Sequence, residues 1–325
     1  MQRTRECSRC WRHHQLNRSQ PPEHFASSHN PLLGTRVTLR LLADDEATAD
    51  AAEAAVIGEM DRLEGILSAY RPDSEWSRWR SGQHTTAGPE IAAVLSLAAH
   101  WWRVSDGAFH PLAGVLRARW LRAVEEQTLP SSEELAALAA SITDLPYGVH
   151  DGIVSRTGDC SRLDVHAIAK GWIVDRAAAL AVAMPGIHEV LLNAGGDLLH
   201  RGSGDVVVGI EDPRQPFDNA APFARVRIGN AGLATSGDAH RPMTIDGHAW
   251  SHVLDPRTGQ PVGQVCSATV IATDAATADA MATVVSVLSP ADALAAADQQ
   301  GVAVLLVQPD GRTHHNARWA AAVVD

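Results

Sequence analysis

Apolar residues recur at helical spacing in some stretches of the chain and alternate with polar residues in others. Val56, Met60, Leu63 and Leu67 are separated by four, three and four positions, so they would share one face of a helix over residues 47–69. Further helices are predicted over 89–104, from Ser131, over 167–184, over 276–288 and from Ser289. Short apolar or alternating runs predict strands over 31–42, 189–193, 205–210, 223–228, 232–235, 249–254, 265–273, 302–307 and 319–323.

The order of these elements predicts the fold class. Helices and strands are mixed without a strict alternation of strand, helix and strand, which favours an α+β fold with a largely antiparallel or mixed sheet and packed helices. The last two predicted strands would form a hairpin. Residues 1–29 lack such patterning and are predicted to be a disordered tail, which leaves residues 30–325 as one domain. Cys7 and Cys10 in this tail have the spacing of a zinc clip, but no second C-x-x-C pair follows.

Composition and charge exclude several classes of partner. The 325-residue chain has 45% hydrophobic residues, which is typical of a globular protein, and a formal charge of −11. A strong acidic excess argues against nucleic acid or an anionic membrane as a partner. No apolar run approaches the length of a transmembrane helix. The polar N-terminus shows neither a signal peptide nor a lipobox, so a cytoplasmic location is expected.

A polar pair interrupts the apolar helix predicted over residues 276–288. Asp279 and Thr283 are four positions apart and would lie one turn apart on the same face. A carboxylate in an apolar wall is costly unless something neutralises it, and two hard oxygens suit Mg²⁺. The alternative is an Asp in the first helical turn and a Thr that bonds back to the preceding turn. The pair alone does not decide between them.

Two other residues are candidates for chemistry. Lys170 is the only lysine in the chain and lies where a loop leads into a helix, an arrangement that suits phosphate. The alternative is a surface loop with Asp164 as the helix cap. His252 would lie in the strand over 249–254, where it would serve as a general base or as a core-edge histidine bonded to the backbone.

Taken in order, several short segments resemble the ApbE family, the FAD:protein FMN transferases, over roughly residues 31–290. The matching segments are LGT from Leu33, SAYRPDSEWSRW from Ser68, GAFHP from Gly107, LDVHAIAKG from Leu163, NAGGD from Asn193, ATSGD from Ala234, HVLDPRTGQP from His252 and ADAMAT from Ala278. The last four are the most specific. Coincidence does not account for so many matches in one order.

The resemblance implies an activity and a set of site residues. The family activity is transfer of FMN from FAD to a Thr or Ser hydroxyl of a target flavoprotein subunit, with Mg²⁺ and release of AMP. By position, Asp279, Thr283 and the carbonyl of Ala167 correspond to metal ligands. His252 corresponds to the residue that helps to deprotonate the attacking hydroxyl. The positions that correspond to FAD contacts are Leu33, Tyr70, Ala108, Phe109, His110, Asp164, Lys170 and Val253.

The chain departs from the family pattern at some of these positions. Leu33 stands where Met is usual, and His110 replaces the usual Asp. Further departures are at Arg80, Val165, His166 and Ala239. Two other functions remain open at this point. One is a Mg²⁺-dependent FAD pyrophosphatase that uses water as the acceptor, and the other is a non-enzymatic FAD-binding protein.

Overall fold

The computed structural model describes residues 2–6, 21–215, 221–237 and 243–324. Among them are sixteen strands and nine α-helices. The strands are β1 Gln2–Glu6, β2 Glu23–Leu32, β3 Thr35–Ala43, β4 Tyr147–His150, β5 Ile153–Arg156, β6 Ile187–Ala194, β7 Asp197–Gly202, β8 Val206–Ile210, β9 Ala224–Ile228, β10 Gly232–Gly237, β11 Met243–Ile245, β12 His248–Trp250, β13 Ser267–Ala272, β14 Ala303–Val307, β15 Thr313–His315 and β16 Val323–Val324. The helices are α1 Glu46–Leu67, α2 Glu75–Arg80, α3 Pro89–Val104, α4 Ala113–Glu126, α5 Ser132–Ala140, α6 His166–Val182, α7 Ala275–Val287, α8 Pro290–Gln300 and α9 Ala317–Ala322.

The fold is built on a nine-stranded sheet with the order β1-β2-β3-β6-β7-β10-β13-β14-β15. Every neighbouring pair in this sheet is antiparallel. The predicted α+β class with a largely antiparallel sheet is therefore confirmed. None of the helices in the described ranges is long and apolar enough to cross a membrane.

Alternation along the strands gives the sheet two covered faces. Ala234 and Leu306 belong to the main core, in which the sheet packs against helices that include α1, α3, α6 and α7. Their chain neighbours Leu233 and Leu305 point the other way, into a smaller core with Trp319 of α9. Successive strand residues face opposite sides, so one strand serves both cores. A polar or charged side chain that reaches into the main core is therefore an exception among apolar neighbours.

Two local predictions need correction. The predicted strand over 249–254 ends at Trp250, and the following residues form a bend and a turn around Asp255. The final hairpin exists, but its second strand is β15, and most of the predicted strand over 319–323 is helix α9. A turn of helix and a short strand are both compatible with so short an apolar run.

The predicted tail boundary at residue 29 falls inside β2. Residues 23–29 pair with β3 in a continuous antiparallel register, so they belong to the sheet. The strand alternates buried and exposed positions, with Ser27 and His29 buried beneath the surface. His29 contacts Glu53 of α1 at 3.1 Å, and this polar pairing hides the strand from a search for apolar alternation. The proposed zinc clip at Cys7 and Cys10 lies outside the described residues.

Helices α6 and α7 approach each other closely at Gly171. A Cβ at this position would lie 2.4 Å from the carbonyl oxygen of Ala275 and 2.9 Å from the Cα of Ala276. The approach is supported by Asp175 of α6, whose two carboxylate oxygens accept hydrogen bonds from the amides of Ala275 and Ala276 at 2.8 and 2.9 Å. Burial raises the pKa of Asp175 to about 6. The sequence of α6 thus fixes where α7 begins.

We expect Gly171→Ala to reduce stability, because the new methyl group meets backbone and the two helices must separate. The free energy of unfolding should fall by about 1–3 kcal/mol, the usual cost of overpacking. Gly58 in the exposed part of α1 is a matched control, since a Cβ there meets nothing within 4 Å. Gly58→Ala should stabilise the protein by about 0.4–1 kcal/mol. Equal effects of the two substitutions in denaturant unfolding would contradict this account of the helix crossing.

Candidate functional site

Helix α7 places Asp279 and Thr283 on its second and third turns. The N-cap of α7 is Asp274, which accepts a hydrogen bond from the amide of Thr277 at 2.7 Å. Asp279 is therefore not a first-turn capping residue. Thr283 makes no bond back to the preceding turn among the hydrogen bonds of the described residues, whereas Ser286 on the same helix donates to the carbonyl of Ala282 at 2.7 Å. The purely structural interpretation of the pair is wrong on both counts.

The start of α6 presents backbone groups to Asp279. The amide of Gly171 donates to Asp279 Oδ2 at 3.3 Å. In a regular helix this amide is the partner of the Ala167 carbonyl. Ala167 has a ψ of 16°, which departs from helical geometry. The helix is therefore irregular at the residue whose carbonyl was expected to be a metal ligand, one turn before the amide that binds the Asp279 carboxylate.

Asp197, at the start of β7, joins this group and was not among the predicted site residues. The residue is 3% exposed, and its carboxyl group and that of Asp279 shift each other's pKa. Asp197 Oδ2 lies 3.2 Å from Lys170 Nζ, and the ammonium also donates to the Gly195 carbonyl at 3.4 Å. The signal in the sequence was the Asp that ends the NAGGD segment.

The two carboxyl groups perturb each other. Burial raises the pKa of Asp279 well above its ordinary value, and the charge of Asp197 raises it further, while Lys170 and the Gly171 amide only partly oppose the rise. Burial also raises the pKa of Asp197, against the opposing effect of Lys170. Two carboxyls in contact cannot both ionise without a compensating charge. Lys170 supplies one positive charge, so the site favours a further proton or a cation.

The turn that contains Leu33 packs against the turn between β6 and β7. Gly195 has a φ of +60°, and a Cβ there would lie 2.4 Å from Thr35 Oγ1. Its amide donates to the Arg36 carbonyl at 3.2 Å. Leu33 itself has a φ of +53°, an uncommon value for a residue with a branched side chain, and its amide donates to Glu64 Oε2 at 3.4 Å. The structure therefore brings Leu33 to the Lys170 side of the site.

Asp164 and Tyr70 are joined by His166 at the N-terminal end of α6. Asp164 Oδ1 accepts a hydrogen bond from the His166 amide at 2.9 Å and contacts its Nδ1 at 2.6 Å. Burial favours a higher pKa for Asp164, but the bonds from His166 outweigh it and the pKa falls below its ordinary value. The Tyr70 ring is 77% exposed and lies 5.3 Å from the His166 ring. These residues border a pocket of about 230 Å³ that Arg117 also lines.

The loop from Ala108 to His110 lies beneath the surface next to Asp164. The Asp164 amide donates to the Pro111 carbonyl at 2.7 Å. Ala108, Phe109 and His110 are all buried, so a ligand at this loop would meet main-chain atoms more than side chains. Burial lowers the pKa of His110 to about 4, and its Nδ1 accepts from the Leu112 amide, which places the hydrogen of the neutral ring on Nε2.

His252 and Val253 lie in the segment after β12 rather than in a strand. The predicted arrangement, with His252 on one strand face and Val253 on the other, is therefore wrong. Val253 is fixed by its amide, which donates to Ser251 Oγ at 3.0 Å, and by its carbonyl, which accepts from the Val262 amide at 2.9 Å. Farther along, the Gly259 carbonyl accepts from Trp120 Nε1 of α4. Ala239 in the ATSGD region lies outside the described residues.

The fold and this site together define a class of protein. It is an antiparallel α+β protein with two carboxyl groups and one ammonium beside a helix crossing, and with Thr283 one turn along the helix from one of the carboxyl groups. Hard oxygen donors of this kind suit Mg²⁺, and the described residues contain no cluster of three or more His, Cys, Asp or Glu that would suit another metal centre. A sequence profile of the ApbE family matches residues 33–306. The chain belongs to the ApbE family.

Relatives and solved structures agree with this assignment. The chain is 31% identical over 295 residues to a protein of Klebsiella pneumoniae named FAD:protein FMN transferase, covering 86% of this chain and 83% of that protein. It is 30% identical over 268 residues to the Escherichia coli protein of the same name, covering 78% and 75%. The fold matches the crystal structure of the ApbE protein from Thermotoga maritima with a TM-score of 0.80 and 24% identity, over 93% of this chain and all of that one.

We expect Asp279→Asn to have opposite effects on the metal-free and the metal-bound protein. A carboxyl with a raised folded-state pKa contributes stability at low pH that is lost as the pH rises above its ordinary value of 3.8. In EDTA, the melting temperature of the variant minus that of the parent should therefore increase as the pH rises from 5 to 8. Mg²⁺ at a hundredfold excess over its Kd should stabilise the parent by about 2.7 kcal/mol and the variant far less.

Thermal melts with and without Mg²⁺ at each pH measure both effects. A variant that Mg²⁺ stabilises as much as it stabilises the parent would remove Asp279 from the cation site.

Proposed function

We propose that this protein transfers FMN from FAD to a Thr or Ser hydroxyl of a target flavoprotein subunit and releases AMP, with Mg²⁺ as its cofactor. Its relatives carry the name FAD:protein FMN transferase, and the chain covers most of their length. The observation that carries the proposal is the ion pair of Lys170 with the buried Asp197, together with the half-buried Asp279, whose pKa Asp197 raises. A buried site with these charges suits a divalent cation and an anionic diphosphate.

The residues present fit a magnesium ion. Asp279, Thr283 and the Ala167 carbonyl would supply hard oxygen ligands, and each is oriented by α6 or α7. Asp197 Oδ2 is buried and faces Lys170 Nζ at 3.2 Å without a well-aligned hydrogen bond among the described residues, so it would remain open to a cation. A bound Mg²⁺ would supply neutralisation of the charge that develops on the diphosphate as its bond breaks.

FAD would extend from the helix crossing toward the pocket beside Tyr70. Lys170 would contact the phosphates, and Leu33 lies on the same side of the site because its turn packs against Gly195. Tyr70 offers an exposed ring for stacking, and Asp164, with its lowered pKa, offers a charged acceptor. The main chain of the Ala108–His110 loop and of Val253 would border the rest of the ligand.

His252 would act on the acceptor hydroxyl. A neutral hydroxyl is a weak nucleophile, and an imidazole is suited to remove its proton. The hydroxyl oxygen then bonds to the FMN phosphorus, the bond from that phosphorus to the AMP oxygen breaks, and the hydroxyl proton passes to His252. Phosphoryl transfer of this kind depends mainly on positioning and charge neutralisation. Those are the properties that the cluster around Lys170 supplies.

The two alternative functions are separated by one assay. Purified protein is incubated with FAD and Mg²⁺, with and without a candidate acceptor subunit, and AMP and protein-bound flavin are measured. The proposal predicts AMP release that depends on the acceptor, with one covalently bound flavin for each AMP. Equal release without the acceptor indicates a pyrophosphatase. No release in either mixture, with FAD bound stably, indicates a flavin-binding protein.

We expect His252→Ala to lower the rate of flavin transfer by roughly 10²–10⁴-fold, the usual contribution of a positioned acid–base group. FAD affinity and melting temperature should change little, because the role lies in the chemical step. His248, an exposed residue of β12 that contacts the Asp246 carbonyl, is the matched control. His248→Ala should transfer flavin at the parent rate.

The measurement is single-turnover transfer at several pH values, together with FAD binding and melting temperature. Transfer by His252→Ala at the parent rate would exclude His252 as the base, and a loss of stability equal to the loss of rate would assign it a structural role.

A further inference from the structure

Asp197 is a buried carboxylate to which the proposed reaction has not yet given a role. It follows directly on the Gly195–Gly196 turn and is 3% exposed. Burial of a carboxylate at this depth is costly, so its retention needs a compensating interaction. The interaction available is with two groups that the proposed function already uses, Lys170 and Asp279.

The contact between Asp197 and Lys170 is an ion pair rather than a directed hydrogen bond. The two atoms are 3.2 Å apart, yet Asp197 Oδ2 has no hydrogen bond of acceptable angle among the described residues. The ammonium has a second partner in the Gly195 carbonyl at 3.4 Å, and about a third of the Lys170 side chain remains exposed. Lys170 is therefore held toward the β6–β7 turn, at a site that an anionic ligand can still approach.

The two carboxyl groups outnumber the single ammonium, and this excess of negative charge affects the binding of a cation and of a diphosphate in opposite directions. Two carboxyl groups face one ammonium, so a divalent cation gains from both carboxylates, while a diphosphate without a cation is repelled by them. As long as Asp197 is not neutralised, its negative charge offsets part of the attraction between the Lys170 ammonium and a phosphate. A cation that neutralises Asp197 leaves the ammonium available to the phosphates.

We propose that Asp197 couples cation binding to FAD binding: it supplies the second negative charge of the cation site, and its ion pair with Lys170 restrains the ammonium when no cation is bound. Asp197 is thus a positioning residue that acts through Lys170. The inference rests on the proposed function, since it takes FAD as the anionic ligand. It goes beyond the proposed function because it predicts a binding order, in which FAD binds tightly only after the cation has bound.

The test is calorimetry on the full-length protein and its Asp197→Asn variant, an isosteric change that removes only the charge. Mg²⁺ binding is measured without FAD, and FAD binding is measured with EDTA and with saturating Mg²⁺, without any acceptor. In the parent, Mg²⁺ should tighten FAD binding by a factor in the usual range for coupled sites, about 5–150-fold. In Asp197→Asn, Mg²⁺ should bind about tenfold more weakly, the equivalent of about 1.4 kcal/mol.

The same variant should bind FAD more tightly than the parent in EDTA, and the coupling factor should fall toward one. This gain depends on Lys170, so the double variant Asp197→Asn with Lys170→Met should bind FAD in EDTA no better than Lys170→Met alone. A simple loss of structure would weaken every ligand together. Opposite changes in Mg²⁺ and metal-free FAD affinity are therefore specific to the proposed role.

Asp175→Asn is the control for a structural effect, because Asp175 is a partly buried carboxylate of α6 that bonds only to the start of α7 in the contacts described. It should lower the melting temperature and keep the coupling factor of the parent. The proposal is overturned if Asp197→Asn keeps that coupling factor, or if it lowers stability and weakens both ligands as a structural change does.

Failure of the proposed function would look different. In that case the parent itself would release no AMP or would not bind FAD, while the effect of Asp197→Asn on Mg²⁺ affinity would still decide whether Asp197 belongs to the cation site.

Discussion

The close approach of α6 and α7 at Gly171 is the constraint on which the site depends. With no side chain at this position, the Gly171 amide reaches the Asp279 carboxylate, and the next residue back, Lys170, reaches Asp197 on the neighbouring strand. Two bonds from Asp175 to the first amides of α7 keep the second helix in register. A shift of α6 would move the ammonium away from Asp197, and a shift of α7 would move the Asp279 carboxylate away from the Gly171 amide. The packing of the two helices therefore sets the electrostatics of the site.

This arrangement places charge where the protein would otherwise be apolar. The helix face around Asp279 consists of alanine, valine and methionine, most of it buried in the main core. Such surroundings strengthen every electrostatic interaction and penalise any charge left without a partner. These surroundings suit the cation and the diphosphate of the proposed reaction, which would have to bind together.

The second part of the site is built differently. Tyr70, Asp164 and His166 lie at the surface end of α6, and the buried Ala108–His110 loop supports Asp164 from beneath. Here side chains are exposed or half-buried, and the contacts are aromatic or made to backbone. One helix, α6, thus joins the exposed region where we propose that FAD extends with Lys170 on its second turn.

The sequence by itself determined the fold class and the family, and it indicated candidate residues for the site. Periodicity located α1, α3 and α7 because long amphipathic or apolar runs leave a clear signal, and ordered motifs indicated Asp279, Thr283 and Lys170. The sequence did not reveal β2, whose buried positions are partly polar, or the loop conformation at His252, which depends on contacts made far along the chain. Nor did it show that Asp197 lies against Lys170 and Asp279. Those three residues are separated by 27 and 82 positions from one to the next, and only the pairing of β6 with β7 and the crossing of α6 with α7 bring them within reach of one another.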